Sequence, residues 1–273
     1  MNNIIPLSQI DFEKHIPTAI DPSGNVFNYC QSSLEDAEFN LCNIFGKEVV
    51  ALIAQSSELY LIQKYISAQG FADAIHLLDL TLTANGFAVT STEQQAPASK
   101  ERVAALRSTA YNIAFKTLDK IIQTVYVTDE WFQIWKTSEK HNKVIKHFFF
   151  SLDDMTAILP IDKFSIVDNE ACFASLSVID SSVSTFLSND LLCYLNDAVK
   201  NKSASFEDLI LLRLLRRAYT SIHNKADVKM SLSPVLNYIL QNLDKFPAYS
   251  NSSEYKSYSN TYENKKDDSI FVF

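Results

Sequence analysis

The stretch Ser32-Ser33-Leu34-Glu35-Asp36-Ala37-Glu38-Phe39-Asn40-Leu41-Cys42-Asn43-Ile44-Phe45-Gly46-Lys47-Glu48-Val49-Val50-Ala51-Leu52-Ile53 decides the fold class. Its apolar residues Leu34, Ala37, Leu41, Ile44, Phe45, Val49, Leu52 and Ile53 recur at the spacing of one buried helical face. Ser32 and Ser33 offer hydroxyls to the open amides of a first turn, and Glu35 and Asp36 sit at the positive end of its dipole. Gly46 marks a kink. A second helix is expected from Ser57 to Leu80, with Tyr60, Leu61, Tyr65, Ile66, Phe71, Ala72, Ile75 and Leu78 as its buried stripe. The two should pair antiparallel.

Outward from this pair the helical period dominates. One long helix is expected from Ser99 to Val127, and another carries Trp131 and Trp135 behind Thr128-Asp129-Glu130. Further helices are expected over Ser151 to Leu159, Asp168 to Ser188, Asp190 to Lys200, Ser205 to Asn224 and Pro234 to Phe246. Two places depart from the pattern. Thr81 to Thr90 alternates around Asn85-Gly86, the signature of a small β-hairpin, and Val228-Lys229-Met230-Ser231-Leu232 alternates like one short strand. From Ala248 to Ser269 only Tyr249, Tyr255, Tyr258 and Tyr262 interrupt polar residues, a composition that buries no core of its own.

The chain also aligns with itself. A shift of 142 residues places Ala37, Leu41, Ile44, Phe45, Val49, Val50, Leu52 and Ile53 on Ile179, Val183, Phe186, Leu187, Leu191, Leu192, Tyr194 and Leu195. After a further insertion of seven residues, Glu58, Tyr60, Leu61, Ile62, Tyr65 and Ile66 fall on Glu207, Leu209, Ile210, Leu211, Leu214 and Leu215. This fits an internal duplication, and it also fits the register that any two amphipathic helices can share. The expected fold is mainly α: a two-lobed helical bundle with a small antiparallel hairpin and an extended C-terminal arm. The lobes are expected at 1–127 and 128–247, and the arm at 248–273.

With 47% hydrophobic and 21% charged residues in 273, the composition is that of a globular chain with a core. Its apolar runs fall short of the ~18 residues of a membrane span. Only 4 residues are glycine, which excludes most phosphate-cradling loops. The net charge is −8, and it is uneven: 8 Lys+Arg against 15 Asp+Glu up to Glu130, then 16 against 17. Such a surface disfavours general nucleic-acid binding. Met1 to Pro6 lacks the segments of a signal peptide, and Cys30, Cys42, Cys172 and Cys193 form no CxxC pair. A cytoplasmic protein with reduced thiols is expected.

Signs of chemistry are sparse. His15, His76, His141, His147 and His223 are scattered, and no metal-ligand spacing, nucleophile motif or nucleotide loop occurs. No catalytic residue, cofactor or metal is expected. Asp153-Asp154 reads as a helix start and Asp267-Asp268 as part of a polar tail. Two features read as oligomer contacts. Arg213, Arg216 and Arg217 form one basic helical face, which is either solvated or set against an acidic neighbour. Ile270, Phe271, Val272 and Phe273 close a polar tail with strong β propensity, and the peptide can add a strand to a neighbour or dock on its own chain. Phe148-Phe149-Phe150 cannot all point inward from one helix, so one of them is a further contact candidate.

The hairpin Gly86-Phe87-Ala88-Val89-Thr90-Ser91, the linker Pro97-Ala98-Ser99-Lys100-Glu101-Arg102-Val103, the Trp131 helix and the tail Asn264 to Phe273 together resemble poorly characterised structural proteins encoded in tailed phages and prophages of gut bacteria. The resemblance implies a head-to-tail connector or adaptor subunit in a ring between portal and tail, located in the virion after assembly in the host cytoplasm. Its implied partners are copies of itself and the portal and tail proteins, with duplex DNA passing nearby unbound and no membrane. An acidic channel face and an extended arm suit such a ring. Two other readings stay open: a cytoplasmic helical protein-binding or regulatory module, and an enzyme whose site no motif reveals.

Overall fold

The first helix starts at Ser8, whose hydroxyl accepts from the Asp11 amide while Asp11 accepts from the Ser8 amide. The Ser8 hydroxyl also donates to Asp11 Oδ2 at 2.6 Å, and this bond first, then the one from the Ser8 amide, holds the Asp11 carboxyl below its usual range. In this computed structural model residues 4–18, 25–78, 80–83, 86–89, 99–144, 152, 155 and 166–259 are described. The fold they form is mainly helical. Two compact units divide the chain, Met1–Val144 with Ser151–Asn169, and Ile145–Phe150 with Glu170–Phe273.

In the first unit α1 (Gln9–His15), α2 (Val26–Tyr29), α3 (Gln31–Phe45), α4 (Lys47–Ala54) and α5 (Leu59–Ala74) follow one another. Gly46 ends α3 and starts α4 with φ 89 and ψ 150, so the expected kink is a full break that a side chain would strain. Helix α5 is buried on nearly every side, because it packs against α1, α3, α4 and the long α6 (Lys100–Val127). A Cβ on Gly70 would lie 2.7 Å from Leu34 Cδ2 and 3.0 Å from the Leu34 backbone. The missing side chain is what lets α3 and α5 approach this closely.

Such burial forces polar positions of α5 to find partners. Gln63 donates to the Pro6 carbonyl at 2.7 Å and Gln69 to Asp73 at 2.8 Å. Desolvation pushes the Tyr65 phenol well above its usual range. Tyr111 of α6 donates to Asp73 at 2.6 Å and accepts from Arg107, whose Nε–H also reaches the Ala72 carbonyl at 3.3 Å. The α5 to α6 seam is therefore pinned by a tyrosine, a carboxylate and a guanidinium.

Leu80–Thr83 and Gly86–Val89 run antiparallel, with Leu80 opposite Val89 and Thr83 opposite Gly86. Beyond α6 come α7 (Asp129–Lys136) and α8 (His141–Val144). The expected lobe boundary at 127/128 is corrected here, because Trp135 is fully buried and donates to the Ile44 carbonyl at 2.9 Å. Its ring meets Phe45 at 5.2 Å and His141 at 4.8 Å. Lys140 extends the same joint by donating to the Cys42 carbonyl at 2.9 Å, at the end of α3. The tryptophan helix thus completes the first core.

The second unit takes in α9 (Ile166–Leu187) from Glu170 on, α10 (Asn189–Asn201), α11 (Phe206–His223) and α12 (Val228–Gln241). A 3-10 turn (Leu243–Lys245), α13 (Pro247–Ser250) and α14 (Ser253–Ser259) follow. The strand expected at 228–232 is the first turn of α12. Asp227 caps it by accepting from the Met230 amide, and Leu232, Val235 and Ile239 bury one helical stripe. The arm expected from 248 is also corrected: Tyr249 and Ser252 are buried and the chain stays helical to Ser259. Phe148 to Phe150, Asp153, Asp154, Asp267, Asp268 and the terminal peptide Ile270, Phe271, Val272 and Phe273 lie outside the described residues.

The α3 to α5 approach gives the first expected outcome. A valine at Gly70 must push Leu34 away, and overpacking a tight core costs about 1 to 3 kcal/mol. Gly70→Val should therefore shift urea unfolding of the first unit to clearly lower denaturant. An unchanged midpoint would show that the helices part without cost.

Candidate assembly surface

Helix α11 is held at both ends by carboxylates. At its start the Asp208 amide donates to Ser205 Oγ at 3.1 Å, and the Ser205 amide returns a bond to Asp208 Oδ2 at 2.8 Å. The Tyr194 hydroxyl of α10 donates to the same oxygen at 3.0 Å, so the buried Asp208 ties two helices together. Burial first, and then the Asp208 carboxylate, push the Tyr194 phenol upward. Toward the other end the buried Tyr219 donates to Asp180 of α9. Burial and the Asp180 charge hold that phenol far above its usual range.

Between these anchors Leu211, Leu212, Leu215 and Ala218 face the core. The opposite ridge is open: Phe206 is 74% exposed and Leu209 51%, and Arg213 and Arg217 are exposed beyond them. At about 100° per residue these four fall on one side of the helix. Arg216 flanks them half-buried. The three arginines thus share a face as the sequence indicates, but Phe206 and Leu209 were not legible as part of it. A clue exists in their spacing, because they precede Arg213 by one and two turns on the side away from Leu211 and Leu215.

Among the described residues no group of three or more His, Cys, Asp or Glu is placed to hold a metal ion. A cleft lined by Ile5, Phe27, Gln31, Leu34, Glu38 and Ile66 has room for a water or two. His141 is buried edge-on against Phe132 and Trp135, a packing role. Desolvation lifts the buried Cys30 thiol to about 11, so it stays protonated at neutral pH. Cys42 and Cys172 are buried and shifted the same way by the same cause.

Residues 32–145 and 178–259 match the model of a family of unknown function, DUF6712. The chain belongs to this family. The matched segments take in all but the first residue of α3, α4 to α8, the part of α9 that carries Asp180 and α10 to α14, and therefore both anchors of α11 and its open ridge. No curated protein and no solved structure matches the chain. Among the described residues no helix is long and apolar enough to cross a membrane.

The anchors make a checkable pH statement. A phenol whose folded pKa lies above its unfolded value keeps its proton in the native state while the unfolded chain loses it. Stability from Tyr194 and Tyr219 is thus fully present below about pH 10 and falls as pH rises beyond it. Tyr219→Phe should lower stability by about 1 to 3 kcal/mol at neutral pH, the cost of a lost bond to a carboxylate. It should also flatten the alkaline decline. Denaturant melts of both proteins at neutral pH and above pH 10 measure this, and parallel pH profiles would contradict it.

Proposed function

We propose that this chain is a non-enzymatic structural subunit that works by assembling with copies of itself, as a ring-forming connector or adaptor layer between portal and tail does. The observation that carries the reading is the α11 ridge. Phe206 and Leu209 stand in solvent on a helix anchored at both ends, so no local unfolding accounts for their exposure. Burying each in a contact would return about 1.5 to 3 kcal/mol. Arginines beside exposed aromatics are the composition typical of association surfaces.

Further support comes from charge. The half of the chain up to Glu130 carries the net negative excess, which suits a subunit beside passing DNA that must not hold it. A two-lobed architecture made by duplication belongs to the same proposal. Its support is a coincidence of backbone geometry at the 142-residue shift. Gly46 has φ 89 and ψ 150, and Ser188 has φ 66 and ψ 146. Helix α3 ends and α4 starts around Gly46 as α9 ends and α10 starts around Ser188. With the seven-residue insertion the ends of α5 and α11, Ala74 and His223, also correspond.

Purified protein should form a discrete oligomer by native mass spectrometry as concentration rises, with closed rings in electron micrographs. A monomer at every accessible concentration would overturn the reading and favour a binding module with another partner. Duplex DNA should bind no tighter than the nonspecific range of about 10⁻⁴ to 10⁻⁶ M at physiological salt. Submicromolar affinity in a filter-binding titration would remove the DNA-avoiding role.

A further inference from the structure

The α11 ridge has a complement on α3. The outer side of α3 carries Ser32, Glu35, Asp36 and Phe39, with Phe39 62% exposed. Its inner side buries Leu34, Ala37, Leu41 and Ile44. On α3 the exposed aromatic lies one turn C-terminal to Glu35. On α11 the exposed Leu209 lies one turn N-terminal to Arg213. Among the described residues Glu35, Asp36, Arg213 and Arg217 have no ion-pair partner.

Resting on the assembly reading above, we infer that α11 of one copy docks antiparallel on α3 of a second copy, setting Phe206 and Leu209 against Phe39 and Arg213 and Arg217 against Glu35 and Asp36. The spacings agree, since Leu209 to Arg213 and Phe39 to Glu35 are each four residues, about 6 Å along a helix. A parallel arrangement would set an arginine against Phe39 and leave the acids facing apolar side chains. Self-pairing of either ridge fails on charge, because α11 on α11 offers no acid to the arginines and α3 on α3 offers no cation to the acids. The occupant is therefore the other face of the same chain.

Such a contact joins two different surfaces of identical subunits. Head-to-tail joining of this kind closes into rings when the rotation permits and otherwise extends into filaments. Where the rotation is two-fold the contact forms twice and closes a dimer. The apolar pair supplies the buried centre, and the charges fix direction and register. Because the charged residues are exposed in the free subunit, association should weaken as salt rises.

The test uses the full chain in four forms: wild type, Arg213→Glu with Arg217→Glu, Glu35→Lys with Asp36→Lys, and all four substitutions together. The sites are exposed, so circular dichroism should find every form folded. Sedimentation should show each double variant associating about tenfold more weakly or worse, with the fourfold variant recovering to near wild type. As a second readout, Leu209→Cys with Phe39→Cys in a Cys193→Ser background should give disulfide-linked species of two or more chains on oxidation, since the two positions face each other across copies. If wild type assembles but the double variants assemble equally well, the fourfold variant is not rescued, or no cross-link between chains forms, this pairing is wrong and the assembly reading stands. If wild type is monomeric throughout, the assembly reading itself falls.

Discussion

A helix buried on nearly every side must settle its polar groups with its neighbours, and in this molecule α5 imposes that demand on the first unit. Its Gly70 draws α3 to contact distance, its Gln63 collects the segment at Pro6, and its Asp73 receives Tyr111 from α6. Each bond is modest in net terms, about 1 kcal/mol, but leaving any of these groups buried and unpaired would cost more. The layout around α5 is therefore specified by polar satisfaction as much as by apolar area. The tryptophan helix extends the same logic, because its buried indole must donate and the Ile44 carbonyl near the end of α3 accepts.

Carboxylates recur as joints between helices. Asp119 accepts from the Leu152 amide at 2.7 Å and from Gln123 at 2.6 Å, and Asp180 and Asp208 fix α11 in the second unit. A buried or half-buried carboxylate orders the donors around it and makes a rigid corner from short segments. This explains how a chain with few glycines and little sheet holds a defined surface. An acidic composition then has a structural part, beyond its effect on partners.

Much of the helical pattern is legible from spacing alone, and the reasons for the failures are local. The period of α3 and α4 is clear because their apolar residues keep to one side, and Gly46 announces the break. Helix α5 reads as a stripe in sequence although it is buried nearly all round, since Ser67, Ala68, Gly70 and Ala74 are small rather than conspicuously apolar. Val228 to Leu232 alternates by composition, yet Asp227 beside it caps a helix, and a cap outweighs five residues of weak β pattern. The lobe boundary failed because nothing near Trp135 in sequence reveals a bond to Ile44. On α11, Phe206, Leu209, Ile210, Leu211 and Leu212 place apolar groups around much of the circumference, so periodicity could not choose which of them faces out.

The cysteines carry a practical corollary. Cys30, Cys42 and Cys172 are enclosed, whereas Cys193 stands exposed on α10. A maleimide dye applied to the folded protein would therefore attach at a single position per subunit. Counting bleaching steps in individual particles then reads copy number from the native sequence, without engineering a handle into either helix of the contact.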